Sequence, residues 1–562
     1  MSKPETFHDE QSDDGSNAPA DILDFDASCL ADIDESPTFL GFSGKKLQFA
    51  TVLMGSVGFL LFGYDQGVMG SLLTLPAFRE TFPAIDTTTH PSQHTSTMQG
   101  FVIAVYEIGC LIGALFNLRF SDAYGRLKAT FLGCLLMIIG AILQCSSFSI
   151  AQFVVGRVVT GLGNGLITSS IPVYESETTR PEVRGKMVML FGVVNVGGVA
   201  LSYWLDFAFF FTHSSVSFRF PIAFQMIFPI SIVPWLLKLP ESPRWLARKG
   251  RFLDAARSFA ALEGTNVKDP NVIAEVERVR QSLIEERDAS KGINMRHALF
   301  SQGKHRNFHR LCLGLWSQIL QQLTGINVIS YYCGTIFQNF IGMSPLMSRI
   351  LAACNGTEYF LFCFVPYFFI ERWGRRVLMM LGSTGECLSM LLLTIFSYRA
   401  DHGGGSGMGI GAAVMLFVFN SSFAFGWLGM TWLLPAELTP LSIRAPANAI
   451  TTAGNWSFNF MVVMITPIAF NNIKSFTYLI FAVLNFLTIP AVYVFYPETK
   501  ERSLEEMDEI FGKCPVWKPW QVVGIAKRTP YEKKTFTYAD IEHALNLEKA
   551  EVEEEREIEA TN

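Results

Sequence analysis

Charge is scarce in this chain: only 17% of its 562 residues are Asp, Glu, Lys or Arg, whereas half are hydrophobic. A soluble protein normally carries about a quarter charged residues, so this composition argues against a soluble fold. The ten cysteines show no paired spacing, and we interpret them as small apolar packing residues rather than a disulfide framework. No cleavable signal peptide is visible.

The apolar part of the sequence also lacks the usual marks of an enzyme. We find no nucleotide-binding loop, no cluster of metal ligands and no nucleophile paired with a base in the apolar runs. We therefore expect no catalytic residues, no metal ion, no cofactor and no nucleic-acid partner. The net charge of −6 adds little, because the charges lie mostly in the tails and the central loop.

What the sequence contains instead is long apolar runs. Twelve of them recur, and each is long enough to cross a bilayer as a helix, which takes about 17–25 residues. The sequence therefore predicts an all-α membrane protein with transmembrane helices embedded in a lipid bilayer. The predicted spans lie near 50–73, 98–118, 127–146, 150–174, 186–206, 220–239, 310–339, 348–370, 376–397, 410–433, 448–470 and 475–496.

Lysine and arginine concentrate in alternate loops between these runs. The opposite loops carry only isolated basic residues such as Arg79 and Lys474. Because basic loops tend to stay in the cytoplasm, both termini and the central loop are predicted to be cytoplasmic. The basic loops are 119–128, 179–186, 240–309, 371–376 and 443–445.

The two halves of the sequence repeat each other. Glu177 and Glu437 lie 260 residues apart, and so do Arg184 and Arg444. "PESPR" returns as "PETKER" at the similar offset of 257. Motifs in one order at nearly one offset predict two six-helix halves in parallel arrangement. The predicted parts are a disordered cytoplasmic tail at 1–45, a first half at 46–239, a cytoplasmic linker at 240–309, a second half at 310–497 and a cytoplasmic tail at 498–562.

The linker alternates acidic and basic residues at helical spacing, which predicts short amphipathic helices there. A plain solvated linker is the alternative.

Charged residues recur at the cytoplasmic ends of the predicted spans in both halves. Opposite charges held across helix ends can latch the cytoplasmic side of such a bundle shut, and their modest strength in water keeps the latch easy to open. The alternative is that these charges only set the topology and cap helices. The candidate gate residues are Arg126, Glu177, Arg184, Glu241, Arg375, Arg376, Glu437, Arg444 and Glu498.

Several motifs together resemble one known family. The chain is similar to the sugar porter family of the major facilitator superfamily in "GYDQG", "GRVVTGLGNG", "PESPRWL", "QQLTGINVISYY", "ERWGRR", "GNWSFNF" and "PETKERSLEE". The similarity covers roughly residues 45–515. Fungal members, including hexose and glycerol/proton symporters, are the most similar. The resemblance implies the major facilitator fold and alternating access.

The resemblance also implies a function. We expect a secondary transporter that imports a sugar, such as a hexose or another monosaccharide, or a polyol, by proton symport. Two alternatives stay open: a facilitative uniporter, and a nutrient sensor that transports nothing. We expect a multi-pass protein of the plasma membrane, with the sugar or polyol and the proton as its small partners.

Amide side chains mark a candidate substrate site in the seventh span. Gln318, Gln321 and Gln322 are placed to share a helix face, whereas Asn327 falls on another face of a straight helix. A break at Gly325 would bring Asn327 round to them, as in the discontinuous helices of many transporters. Amides suit sugars because each can donate and accept hydrogen bonds. The alternative is interhelical bonding that only holds the bundle together.

The resemblance places Gln321, Gln322 and Asn327 on the family's sugar-binding positions and adds further candidates. Trp432 lies five residues before Glu437, where the family places a tryptophan that stacks on the sugar ring. A membrane tryptophan is otherwise usually an interfacial anchor. The additional candidates are Tyr331, Trp432, Asn455, Trp456 and Asn459.

Two positions depart from the family pattern. The fifth span has Gly192 where the family commonly has a glutamine, and the nearest amide is Asn195. The eighth span has Tyr359 where an asparagine is expected, with Asn355 one turn earlier. Two hydroxyl partners are therefore missing or moved, which favours a smaller or differently substituted substrate than glucose, such as a polyol.

Asp65 is the single charge in the first-span stretch "GFLLFGYDQGVMGSLL". A charge at the bilayer centre costs roughly 2.5–3.5 kcal/mol and needs a partner or a wet cavity. Arg157 of the fourth span is the candidate partner. If the pair separates as the halves rock, the desolvated carboxylate takes up a proton. In the family an aspartate here accompanies proton symport, so we predict that Asp65 and Arg157 couple protons to transport; a static structural ion pair is the alternative.

Overall fold

The described part of the chain is almost wholly helical. A computed structural model describes residues 30, 33–89, 91–179, 181–290, 295–303, 305–403, 405–440, 443–500, 502 and 504–529. Within these residues the only β pairing is an isolated bridge between Phe39 and Phe42. In lipid a helix satisfies all its backbone hydrogen bonds internally, which accounts for this architecture. The predicted disorder of tail 1–45 falls mostly on residues outside the described set.

Six spans form the first half, and short helical turns connect the first two of them. The sixth span is divided into two helices, each with a proline inside. The helices are Lys45–Leu72, Pro76–Thr81, the 3₁₀ turn Pro83–Ile85, Gln93–Tyr124, Arg126–Cys145, Ile150–Thr178, Pro181–Phe209, and Val216–Phe224 with Ile227–Leu236.

The segment between the halves is also helical where it is described. Its helices are Pro243–Arg248, Phe252–Glu263, Pro270–Ser290 and Met295–Phe300. Two further helices, Leu504–Gly512 and Gln521–Arg528, follow the last span.

The second half repeats the arrangement of the first, with more interrupted helices. The seventh span continues into a π-helical turn, and the tenth is divided at Gly426. The helices are Asn307–Leu323 with Ile326–Thr335 and Ile336–Phe340, Pro345–Phe362 with Val365–Trp373, Arg375–Asp401, Ser406–Gly426 with Met430–Leu438, Arg444–Ile473, and Phe476–Phe495.

The prediction of an all-α protein with twelve spans is confirmed. Within the described residues, ten helical segments are long and apolar enough to cross a membrane. The divided seventh and eighth spans complete the set. Successive spans run in opposite directions, so the loops rich in lysine and arginine, which alternate along the chain, share one end of the bundle. We call it the basic end.

Glycines set the distance between packed spans. Gly161 of the fourth span faces Gly109 of the second, and a Cβ at Gly161 would lie 2.2 Å from the carbonyl oxygen of Tyr106. In the second half a Cβ at Gly382 would lie 2.6 Å from the Cα of Gly426. Small residues at such contacts let membrane helices approach closely. Part of the motif "GRVVTGLGNG" is therefore explained by packing.

Among the described helices, the two halves meet mainly along three pairs of spans: the first with the seventh, the second with the eleventh, and the fifth with the eighth. Away from the basic end, Tyr203 donates a hydrogen bond to the carbonyl oxygen of Ser330 at 2.7 Å. Arg349 donates to the Thr74 hydroxyl at 2.9 Å. Such bonds hold the halves together in this region. Others there join Trp204 to Thr357, Thr88 to Asn339 and Gln93 to Asn472.

The helices between the halves pack mainly on the first half. Trp245 donates its indole N–H to the carbonyl oxygen of Asp122 at 2.9 Å. Gln48, near the start of the first span, donates to the carbonyl oxygen of Leu262 at 2.8 Å. A small apolar core that includes Leu283 holds these helices together. The next helix belongs to the other half, because Leu299 packs with Leu311, Ile443 and Ala447.

Candidate functional site

The seventh span breaks where the sequence predicted it. The helix ends at Leu323, Gly325 has a φ of 93°, and a new helix starts at Ile326. Glycine adopts this left-handed conformation without a steric cost. A Cβ at Gly325 would also lie 2.8 Å from the ring of Phe481. The break turns Asn327 back toward Gln322, and the two amides lie 2.5 Å apart.

Six buried amides from the seventh and eleventh spans form one network, which we call the amide cluster. The Asn455 Nδ2 donates to Gln318 at 2.7 Å and to Gln321 at 3.0 Å. Gln322 donates to Asn455 at 3.0 Å. Each member is at most 6% exposed. The members are Gln318, Gln321, Gln322, Asn327, Asn455 and Asn459.

The amide cluster can exchange its internal bonds for bonds to a ligand. Each amide offers both donors and an acceptor, so its partners can be replaced one at a time by hydroxyl groups. Asn327 connects the two ends of the cluster, since its Nδ2 also donates to Asn459 at 2.7 Å. Gln321 donates in addition to the backbone carbonyl of Trp427. A polar site of this kind in a low dielectric is specific but costly to leave unpaired.

The three predicted aromatic residues lie in different surroundings. The Tyr331 hydroxyl donates to the carboxylate of Glu107 at 2.5 Å, so this tyrosine bridges the two halves. Trp456 is buried with its ring edge-on to Phe62, also across the halves. Trp432 is 40% exposed, and the described contacts do not link it to the amide cluster. Its predicted stacking on a sugar ring stays a prediction.

The two departures from the family pattern leave the amide cluster confined to the second half. Gly192 faces Leu428, and Asn195 packs against Gly63 of the first span with its backbone carbonyl and its side-chain oxygen. Tyr359 is buried against Phe423. Asn355 accepts a hydrogen bond from Asn420 at 2.8 Å. Neither asparagine bonds to the amide cluster among the described contacts.

The predicted proton pair is a contact in the interior of the first half. Arg157 and Asp65 have side chains with no solvent exposure, and their nearest atoms lie 3.4 Å apart. Arg157 also donates to the carbonyl oxygen of Ile103 and lies over the ring of Tyr106, 4.5 Å from its centroid. The second Asp65 oxygen has no hydrogen-bond partner among the described residues.

Glu107 is a buried carboxylate that the sequence prediction missed. It lies in the second span, has no exposed surface, and is near enough to Asp65 and Arg157 to interact electrostatically with both. The signal was available, because Glu107 is an isolated charge in the apolar run "FVIAVYEIGCLIGALF". The rule that marked Asp65, namely that a charge within a span points to function, applies equally here.

A linker carboxylate caps a span at the basic end of the first half. Glu241 accepts hydrogen bonds at 3.1 Å from the backbone N–H groups of Arg126 and Leu127, which begin the third span. The first N–H groups of a helix lack internal partners and favour negative charge. Arg126 forms ion pairs with Glu177 at 3.0 Å and Asp122 at 2.9 Å.

A carboxylate caps a span of the second half in the same way. Glu498 accepts hydrogen bonds from the backbone N–H groups of Arg375 at 2.9 Å and Arg376 at 3.2 Å, which begin the ninth span. Arg375 pairs with Glu437 at 3.1 Å. The Arg376 side chain donates to the Tyr493 carbonyl instead. The repeat seen in the sequence is therefore a repeated capping arrangement.

Arg444 and Arg184 are the remaining candidate gate residues. Arg444 donates to the carbonyl oxygen of Thr439 at 3.3 Å. The side chain of Arg184 lies outside the described part of the structure. The ion pairs named above each join helix ends within one half. A latch between the halves stays a prediction.

Replacing either capping carboxylate by an amide should destabilise the fold. Glu241→Gln and Glu498→Gln each place an amide NH₂ where an oxygen now accepts from backbone N–H groups. We expect a loss of about 1–2 kcal/mol for each, measured as a lower midpoint of unfolding of the purified protein in detergent. Glu275→Gln is the control, since its exposed pair with Arg278 should contribute little. Midpoints equal to the control would show that the caps are dispensable.

Comparison with known proteins gives independent evidence of the family to which this chain is similar. Residues 51–511 match the family model described as "Sugar (and other) transporter". The chain is 37% identical to the sugar transporter STL1 of Saccharomyces cerevisiae over 86% of its own length and 84% of that protein. It is also 37% identical to the MFS-type transporter oryC of Aspergillus oryzae, over 86% and 88% of the two chains.

Solved structures of similar shape are transporters as well. The inward open conformation of the xylose transporter XylE from E. coli has a TM-score of 0.68 and 24% identity, and the match covers 82% of this chain and 99% of that one. A XylE structure described as a proton:xylose symporter bound to 6-bromo-6-deoxy-D-glucose has a TM-score of 0.69, also at 24% identity, and covers 83% and 100%. At this identity the likeness supports the fold.

Proposed function

This chain belongs to the sugar porter family of the major facilitator superfamily, and from that premise we propose that it carries a sugar or polyol across a membrane together with a proton. The transported molecule binds at the amide cluster. The buried pair of Asp65 and Arg157 takes up and releases the proton. Alternating rocking of the two halves exposes these groups to each side in turn.

The amide cluster is the observation that carries this proposal. A core built for stability alone would fill this volume with apolar side chains, because buried polar groups contribute little net free energy even when paired. Six amides that bond mainly to one another instead hold a set of donors and acceptors ready. A polyhydroxylated molecule replaces these bonds like for like, since each hydroxyl both donates and accepts. The recognised chemistry is therefore a run of neighbouring hydroxyl groups.

The proposed proton coupling rests on the burial of the ion pair between Asp65 and Arg157. An ionised carboxylate with no solvent contact depends on its guanidinium partner. Movement of the fourth span relative to the first weakens that partnership, and a proton then replaces the cation. The alternative, a uniporter, would keep the pair closed through the whole cycle.

The proposed orientation puts the basic end and both termini in the cytoplasm, following the distribution of lysine and arginine. In this arrangement the capped clusters around Arg126 and Arg375 lie on the cytoplasmic side. Their predicted part in the latch requires contacts between the halves in a conformation closed at that end. The proposed location is the plasma membrane.

Uptake by intact cells tests the function. Cells that lack their own sugar transporters are given radiolabelled hexoses, pentoses, disaccharides, polyols and organic acids, with and without a protonophore. A symporter accumulates its substrate, raises the external pH as substrate enters, and loses accumulation with the protonophore. Uptake that survives the protonophore unchanged would favour the uniporter. Surface expression without any uptake would favour a nutrient sensor.

We predict that glucose is a poor substrate. Gly192 and Tyr359 stand where amides would contact additional hydroxyls, and neither Asn195 nor Asn355 replaces them in the amide cluster. A hydroxyl that loses its partner in a dry site costs about 1–3 kcal/mol, so uptake of glucose should be weaker by about 5- to 150-fold than that of a better substrate such as a polyol. Competition by the unlabelled compounds provides the comparison. Robust glucose uptake at micromolar affinity would contradict the prediction.

A further inference from the structure

Glu107 and Tyr331 form a hydrogen bond between the two halves of the protein. Glu107 is on the second span of the first half, and Tyr331 is on the broken seventh span of the second half. Their hydrogen bond of 2.5 Å is fully buried. The second oxygen of Glu107 has no hydrogen-bond partner within the described residues. Such a carboxylate is expensive to hold in a membrane protein and usually has a functional reason.

Glu107 shares one cation with Asp65. The guanidinium of Arg157 is 3.4 Å from Asp65 and lies over the ring of Tyr106, the residue next to Glu107, so Glu107 is near this cation as well. Two ionised carboxylates with one guanidinium leave a net negative charge in a dry interior, whereas one added proton makes the set neutral. The ionisable and polar groups around Glu107 are Asp65 of the first span, Arg157 of the fourth, Tyr331 of the seventh, Asn459 of the eleventh, and Tyr106 and Cys110 of its own helix.

We propose that Glu107 shares the transported proton with Asp65, so that either carboxylate can serve as the counter-charge of Arg157 while the other is neutral. This inference rests on the proposed symport and deepens it. The proton comes from water on one side of the membrane, binds a carboxylate oxygen, and leaves to water on the other side. No other reactant is needed.

The same contact connects the proton to the substrate. Asn459 lies beside Glu107 and bonds to Asn327 of the amide cluster at 2.7 Å. Tyr331 lies one helical turn beyond Asn327 on the same helix. Rocking of the halves makes or breaks the bond between Glu107 and Tyr331, since the two residues belong to different halves. Substrate that draws Asn327 and Tyr331 toward itself therefore changes the hydrogen bonding of Glu107.

A double-mutant cycle tests this sharing. Asp65→Asn, Glu107→Gln and the double variant are reconstituted into liposomes, with Glu358→Gln as the control. Glu358 is a carboxylate that accepts a hydrogen bond from the Ser421 hydroxyl at a site of its own in the second half. Radiolabelled glucose, xylose and sorbitol serve as probes. Two quantities are measured: exchange of labelled probe at equal concentrations on both sides, and proton uptake driven by a gradient of the probe.

Each single variant should retain exchange and lose probe-driven proton uptake, because one carboxylate still neutralises Arg157 without a proton. The double variant leaves Arg157 unpaired, and we expect exchange at least about a hundredfold below that of either single variant. Glu358→Gln should resemble the wild type in both measurements. If Asp65→Asn alone already reduces exchange as far as the double variant does, Glu107 is not a counter-charge and the inference is wrong.

Two further outcomes would also contradict the proposed sharing of the proton. Wild-type proton uptake by Glu107→Gln overturns the sharing while leaving the symport intact. A wild-type protein that moves no protons with any probe overturns the symport and the sharing together. If Glu107→Gln does not fold, Tyr331→Phe replaces it, since this variant keeps the carboxylate and removes only its donor. The dependence of coupled transport on external pH should then change, because the hydroxyl no longer bonds the carboxylate that shares the proton; an unchanged pH profile counts against the inference.

Discussion

Asp65→Asn should abolish accumulation of substrate against a gradient while leaving exchange across the membrane in place. Asparagine keeps the size and hydrogen-bonding capacity of the aspartate but cannot change its charge. A membrane potential of about 100 mV supplies about 2.3 kcal/mol per proton, enough for roughly 50-fold accumulation. The variant should therefore reach a concentration ratio of about one. Accumulation, external pH and surface abundance are measured in the same cells.

Glu358, a carboxylate of the second half, provides the control for this experiment. Glu358→Gln removes a different carboxylate from the second half and should accumulate substrate as the wild type does. Surface abundance matters because Asp65 and Arg157 form a buried contact, and breaking such a pair costs roughly 3–5 kcal/mol when no other counter-charge is near. An Asp65→Asn variant that concentrates substrate to the wild-type level and still moves protons would reduce Asp65 to a structural charge.

Gln322→Ala and Asn327→Ala should each cut uptake sharply at normal surface expression. Asn327 donates to both Gln322 and Asn459, so its loss leaves two buried oxygens without a donor and the substrate without a partner. An unpaired polar group in a desolvated site costs about 1–3 kcal/mol, which corresponds to a rise of about 5- to 150-fold in apparent KM. Initial rates of uptake over a range of substrate concentrations give this value.

A buried amide outside the amide cluster provides a control that distinguishes an effect on substrate recognition from an effect on folding. Gln144 is 1% exposed and donates to the Thr160 hydroxyl at 3.0 Å, between the third and fourth spans. Gln144→Ala should lower stability and surface abundance without changing the apparent KM. An unchanged KM in both Gln322→Ala and Asn327→Ala would remove the amide cluster from the substrate site.

Much of the fold could be predicted because each span needs an apolar run long enough to cross the bilayer, and this requirement can be read from the sequence span by span. The third run, predicted at 127–146, is the helix Arg126–Cys145, and the last, predicted at 475–496, is Phe476–Phe495. The fifth was predicted to start at 186, yet its helix begins at Pro181. The first turn of this helix is polar, so the apolar run begins later than the helix does. Interruptions were predictable only where a glycine stood beside polar groups, as at Gly325.

The site was predicted less completely, because hydrogen bonds depend on how spans pack. Sequence spacing placed Gln322 and Asn327 close together once a break was assumed, and the structure has that break. Spacing could not show that Glu241 reaches the start of the third span, because the partners lie 115 residues apart. Glu107 differs from these, because it is visible in the sequence as an isolated charge in the second span, but only the packing of the spans brings it near Asp65 and Arg157.

The packing of the linker has a mechanical consequence. Up to Leu283 the linker helices are fastened to the first half, and from Leu299 onward the chain is fastened to the second. The chain between these two leucines therefore acts as a tether between the halves. Its helical parts, up to Ser290 and from Met295 onward, rise only about 1.5 Å per residue, so the halves can part at that end by less than a fully extended chain would allow unless these helices unwind. Shortening this tether should reduce the movement between the halves before it changes either half.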